Sequence, residues 1–198
     1  MAGGNWDGSS ANGGVESVKG GNGGLFNDFG RWEVCMHCPG CGAPMRLDDD
    51  KDFFSCEYCG NVFFPEPNDD GVRVLGEPTD ETCPVCAVGL FHAALLGHRF
   101  LYCQRCRGML MDVDTFVTTI EDLRARREAP AEIPHQPDPH ELDRHIRCPH
   151  CHEEMDTHPY AGPGNVIIDN CPACELNWLD CGELRRIVRA PDHEYVGE

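Results

Sequence analysis

Apolar positions along this chain come in short alternating runs, and two stretches repeat them at helical spacing instead. Val88 to Leu96 and Arg99 to Tyr102 flank Gly97-His98, which predicts a hairpin. Met109 to Met111 reads as a third strand, and a helix is predicted from about Val113 to Arg127. Asp112 precedes that helix as its N-cap, and Phe116, Val117, Ile120 and Leu123 give it an apolar face. The same order returns downstream. Met155 to His158 and Val166 to Asp169 predict a hairpin around Ala161-Gly162-Pro163-Gly164, and Asn177-Trp178-Leu179 predicts a third strand. Asp180 is placed to cap a helix from Cys181 to about Arg189, with Glu183 at capping-box spacing and Leu184, Ile187 and Val188 on the inner face. Upstream, Met45 to Leu47, Phe53 to Ser55 and Asn61 to Phe64 predict three strands of a plainer unit that stops at Pro65.

Cysteines punctuate each unit in the same way. Of fourteen, twelve form six Cys-x-x-Cys pairs, and the pairs group into three fours: Cys38, Cys41, Cys56 and Cys59; Cys83, Cys86, Cys103 and Cys106; Cys148, Cys151, Cys171 and Cys174. The gaps between pairs are 14, 16 and 19 residues, the spacing of a four-thiolate zinc site closed by a strand-turn-strand. The fold class expected is therefore small, metal-stabilised and mainly β: three tandem zinc ribbons, the second and third each followed by an α-helix. Four thiolates suit iron as well, but short gaps and trailing helices favour zinc, three ions in all. A unit of ~45 residues cannot bury enough apolar surface to fold alone, and structural zinc can supply ~10–16 kcal/mol.

The intervening composition sets the expected organisation: a disordered Gly-rich tail over 1–30, ribbon one over 31–65, an acidic linker over 66–82, ribbon two with its helix over 83–128, a Pro-rich linker over 129–145, ribbon three with its helix over 146–190 and a tail over 191–198. Leu25, Phe26, Phe29 and Trp32 interrupt the first tail as an apolar patch. The second and third ribbons are an internal repeat: six residues past the fourth cysteine stand Asp112 and Asp180, and four further on stand Phe116 and Leu184.

Charge narrows the partners. The formal net charge is −18 with two lysines, Lys19 and Lys51, and each four-thiolate zinc adds about −2. Such a chain is repelled by phosphate backbones, which disfavours nucleic acid and favours a basic protein face. The N-terminus has no basic start followed by an apolar run, and no stretch approaches the ~20 apolar residues of a membrane span, so a cytoplasmic location with reduced thiols is expected.

The run from Cys148-Pro149-His150-Cys151 through Cys171-Pro172-Ala173-Cys174 to Trp178-Leu179-Asp180-Cys181-Gly182-Glu183-Leu184 resembles the bacterial zinc-ribbon family named after transcription factor IIB. Ribbon two resembles it less closely: Met109-Leu110-Met111-Asp112 stands for the aromatic-Leu-Asp, and Val113-Asp114-Thr115-Phe116 for the x-Gly-Glu-Leu. The resemblance implies the fold and eight zinc ligands, Cys83, Cys86, Cys103, Cys106, Cys148, Cys151, Cys171 and Cys174, and little about activity.

Other side chains offer alternatives. Cys35 could displace Cys41 as the partner of Cys38, although Pro39, Gly40 and Gly42 favour the Cys38/Cys41 knuckle. Cys181 opens a helix, where a thiolate is stabilised, so Cys35 and Cys181 are candidate sensor thiols. Asp48-Asp49-Asp50-Lys51-Asp52 is an acidic hairpin tip. Arg99, Arg105, Arg107, Arg124, Arg126 and Arg127 form the one locally basic region, with Arg185, Arg186 and Arg189 a smaller one. Four cysteines per ion leave no open coordination position, so no enzymatic activity is expected. The function expected is a non-enzymatic adaptor that displays hairpins and helices to a protein partner. The alternatives are a transcription-associated module touching polymerase or nucleic acid, and a thiol redox or metal sensor.

Overall fold

The computed structural model describes residues 36–47, 51–134 and 136–191. The expectations for the Gly-rich tail with its apolar patch, for Cys35, for the tip residues Asp48 to Asp50 and for residues 192–198 lie outside the described residues.

Ribbon one is a three-stranded antiparallel sheet of very short strands, β1 (Arg46–Leu47), β2 (Phe54–Ser55) and β3 (Val62–Phe63), in spatial order β1-β2-β3. Its core is Cys38, Met45, Phe54 and Cys56.

Everything downstream contributes to a second sheet of seven strands. These are β4 (Arg73–Thr82), β5 (Gly89–Leu95), β6 (His98–Tyr102), β7 (Met109–Asp112), β8 (Asp156–Pro159), β9 (Ile167–Cys171) and β10 (Leu176–Leu179), in the order β4-β5-β6-β7-β10-β9-β8. The third strands of ribbons two and three pair antiparallel, Met109 opposite Leu179, Leu110 opposite Trp178 and Met111 opposite Asn177. Leu110 and Trp178 each stand four residues past the fourth cysteine of their ribbon. Equivalent residues thus face each other at the centre, and the register is self-complementary about it, as in a two-fold dimer interface. The arrangement has a simple cause. The third strand of each ribbon would otherwise be an edge rich in apolar side chains (Met109, Leu110 and Met111; Trp178 and Leu179), and pairing the two edges buries both.

The two faces of this sheet carry separate cores. On one lie α1 (Val113–Ala125) and α2 (Glu183–Arg189), closing over Ala93, Phe100, Met109, Met111, Ile168 and Leu179 with Phe116, Ile120, Leu184 and Ile187. On the other, Leu90, Leu110, Met155 and Trp178 pack among Cys83, Cys103, Cys148 and Cys171. Both helices occur where apolar periodicity predicts them, with two differences. Val117 is 43% exposed, and Thr119, fully buried, takes the inward position. The second helix begins at Glu183 rather than Cys181, because Gly182 adopts a left-handed conformation (φ 87°) at its start.

The two stretches read as linkers are more structured than their composition suggests. Val72 and Leu75 are buried against β5, and more than half of 66–82 is the edge strand β4. Residues 129–145 carry a 3-10 turn at Pro139–Asp143, and the Glu132 N–H donates to the Arg189 carbonyl at 2.7 Å. Ribbons two and three are therefore halves of one sheet.

Candidate metal centres

All six Cys-x-x-Cys pairs fold into the same knuckle. The residue after the second cysteine is left-handed in every one: Gly42, Gly60, Ala87, Arg107, His152 and Glu175. In five of them its N–H donates to the carbonyl of the first cysteine at 2.8–2.9 Å, while the first cysteine's own N–H donates one residue further on. For Ala87, Arg107, His152 and Glu175 that conformation is strained, about 1–2 kcal/mol each against an ordinary backbone. Neither this position nor its hydrogen bond was legible in the sequence except where glycine marks it.

The knuckles bring together the twelve cysteines predicted as ligands, in three quartets whose sulfurs lie within 4.8 Å of one another. Sulfur-sulfur distances include 3.5 Å for Cys38–Cys59, 3.6 Å for Cys41–Cys56, 3.6 Å for Cys83–Cys106 and 3.5 Å for Cys151–Cys171. A zinc–sulfur bond of about 2.3 Å gives a tetrahedron with edges of about 3.8 Å, so the donor set fits the ion. Backbone N–H groups also point at ligand sulfur, Gly40 to Cys38 Sγ at 3.4 Å and Cys86 to Cys83 Sγ at 3.3 Å, an arrangement that favours thiolate. Three zinc ions, one per ribbon, are the cofactors of this fold.

The thiols of each quartet hold their protons unequally. For Cys38, burial acts upward, but the Cys41 and Gly40 N–H groups and the neighbouring thiols bring it down to about 6. Burial pushes Cys83 up to about 11. The first cysteine of each pair is buried, and the second is exposed in ribbon one but only half-buried in ribbons two and three.

The other candidates fall elsewhere. Cys181 is exposed and belongs to no quartet. Among the described residues no histidine joins a quartet. His98 meets Asp122 at 2.8 Å, His145 meets Glu154 at 2.7 Å, and His92 is driven below its ordinary value by burial and by Arg99. Asp52, at the end of the acidic tip, pairs with Arg73 at 2.7 Å.

Several members of the basic region are engaged within the fold. Arg124 donates to the carbonyls of Ile187 (2.7 Å) and Ala190 (3.0 Å), and Arg127 to those of Val188 and Ala190, both at 2.9 Å. Arg124 from the last turn of α1 and Arg127 from just beyond it cap the C-terminus of α2 and satisfy carbonyls that have no partner within the helix. Arg107 pairs with Asp70 at 2.7 Å, and Arg189 with Glu132.

Two further features were not apparent from sequence. Gly108 lies under Trp178, and a β-carbon there would stand 2.2 Å from the indole Cζ2. Arg144 bridges to Asp180 and lies 3.6 Å from buried Asp169, while Trp178 Nε1 donates to Asp180 at 3.1 Å. Asp180 therefore does not cap α2 with its side chain. Its N–H donates to Glu183 at 2.7 Å, the reciprocal half of the expected capping box.

Residues 147–190 match the family model described as transcription factor zinc-finger, a zinc ribbon of the transcription factor IIB type. The match covers ribbon three and leaves ribbons one and two outside it. No curated protein and no solved structure matches the chain. Among the described residues no helix is long and apolar enough to cross a membrane.

Proposed function

We propose that this protein is a non-enzymatic adaptor of the cytoplasm, a zinc-stabilised scaffold that presents its ribbon surfaces to a protein partner. The observation that carries this reading is the closure of all three quartets. Twelve thiolates serve three ions, so each metal fixes backbone and has no position for a substrate or an activated water. Ribbon two is read as a diverged second copy of ribbon three, supported by the shared register and the self-complementary β7–β10 pairing. The net charge of −18 and the use of Arg124 and Arg127 as helix caps support a protein partner over a nucleic acid. Affinity capture from the native host with the zinc-loaded and the chelated chain tests this. A defined partner retained only by the zinc-loaded chain is expected.

A transcription-associated role is the second reading, favoured by the family match at 147–190. It predicts that polymerase subunits appear among the captured proteins, or that oligonucleotides bind with an affinity falling steeply with salt and dropping on Arg126→Ala. Capture of an unrelated partner with no oligonucleotide binding would leave the adaptor reading alone.

A further inference from the structure

The two sheets treat their edges differently. In the seven-stranded sheet, edge strand β4 carries Pro78, Asp80 and Glu81 and shifts register twice, while edge strand β8 carries Asp156 and ends at Pro159. Proline, charge and bulges are what keep an edge from recruiting another strand. In ribbon one, β3 has none of them until Pro65. Val62 is 53% exposed, Phe63 37% and Phe64 49%, and Tyr58 on the adjoining knuckle is 78% exposed. Ser55 opposite Val62 and Phe54 opposite Phe63 place consecutive β3 side chains on opposite faces, and Phe64 meets Phe53 at 4.9 Å. The edge is thus apolar on both faces, and among the described residues no strand pairs with its outer side.

Charge selects the occupant. Of the five carboxylates in residues 51–70, Asp52, Glu57 and Asp70 are paired with Arg73, Arg46 and Arg107, and the other two are Glu66 and Asp69. Glu66 and Asp69 are exposed just beyond the strand. A second copy, also at −18, is repelled, and so is a phosphate backbone. We propose that ribbon one takes an extended segment of a protein partner onto the outer edge of β3, a segment that alternates aliphatic with Lys or Arg residues. Backbone pairing supplies affinity. The aliphatic side chains cover Val62 on one face, the apolar stems of the basic residues lie along Phe63 on the other, Tyr58 flanks the segment, and the cations meet Glu66 and Asp69. This rests on the adaptor reading and names the surface and the chemistry it would use.

The test uses the zinc-loaded full chain and a fluorescein-labelled peptide, Lys-Val-Lys-Val-Lys-Val-Lys, read by anisotropy. Controls are the same composition with lysines and valines in separate blocks, the alternating peptide N-methylated along one backbone edge, and its Glu-for-Lys counterpart. The alternating basic peptide should bind at least about ten-fold more tightly than each control. Val62→Asp and Tyr58→Ser replace side chains already exposed, and both should weaken binding about ten-fold while the chain keeps its zinc content. Equal binding of the blocked or N-methylated peptide would overturn the proposal, as would indifference to both substitutions. So would a dimer dissolved by Val62→Asp, or tighter binding of an oligouridine. If the partner found by affinity capture binds the substituted chains unchanged, the docking edge fails while the adaptor reading stands.

Discussion

Ribbon one closes on four buried residues of its own, whereas ribbons two and three bury their zinc sites in a single core that runs through Trp178. The difference extends to the backbone. Ribbon one places glycine, Gly42 and Gly60, at its two left-handed knuckle positions, and the paired ribbons place Ala87, Arg107, His152 and Glu175 there. A side chain in that conformation is tolerated where surrounding packing holds it. The small ribbon has little packing to spend and relies on metal and glycine. The paired ribbons rely on metal and on each other.

The sharpest way to break this comparison is to remove one ligand from each side. Cys171→Ser should disrupt the core shared by ribbons two and three and reduce bound zinc from three ions to about one, whereas Cys56→Ser should leave about two. Elemental analysis with near-ultraviolet circular dichroism checks both, and a Cys171→Ser chain retaining two ions would show that the paired ribbons bind independently. Gly108→Ala drives a methyl into Trp178 at the centre of the pair and should cost about 3 kcal/mol. Gly42→Ala, whose β-carbon meets nothing within 4 Å, should cost only about 1 kcal/mol. Denaturant titration at fixed free zinc separates them.

Arg124→Ala removes the charged donor of the Ile187 carbonyl and leaves the Ala190 carbonyl to Arg127 alone, and should cost about 2 kcal/mol, read by thermal melting. Oligonucleotide binding should not change, and a loss there with stability intact would return this arginine to the basic surface.

A pH-dependent effect concerns Glu183. Burial raises its carboxyl from an ordinary 4.5 to about 7. The charged form is the one disfavoured in the fold, so the stability present below 4.5 is lost as pH rises through 7. Between roughly pH 6 and 8 this amounts to about 1.4 kcal/mol, which Glu183→Gln should abolish. Chemical denaturation across that range checks it.

How much could be read in advance varied within a single repeat. Asp112 and Asp180 occupy the same register, and both were read as helix caps. Asp112 does accept the Thr115 N–H, at 2.8 Å. Asp180 is drawn away by Trp178 and by Arg144, which arrives from a segment 36 residues earlier in the chain. Local spacing sees the first bond and not the second. Likewise Val72 and Leu75 are too short an apolar signal to outweigh the acidic residues around them, yet burial against β5 makes that segment a strand.

Sequence alone determined the twelve ligands, their grouping, the three ribbons and the two helices, because a knuckle is a local structure and thiolate spacing survives without context. Only the tertiary structure decided that two ribbons join edge to edge while the first keeps an exposed apolar edge. It also decided that two arginines of the basic region serve as helix caps. Those outcomes depend on which edges and carbonyls meet across the fold, and pairings between distant segments leave no period in the chain.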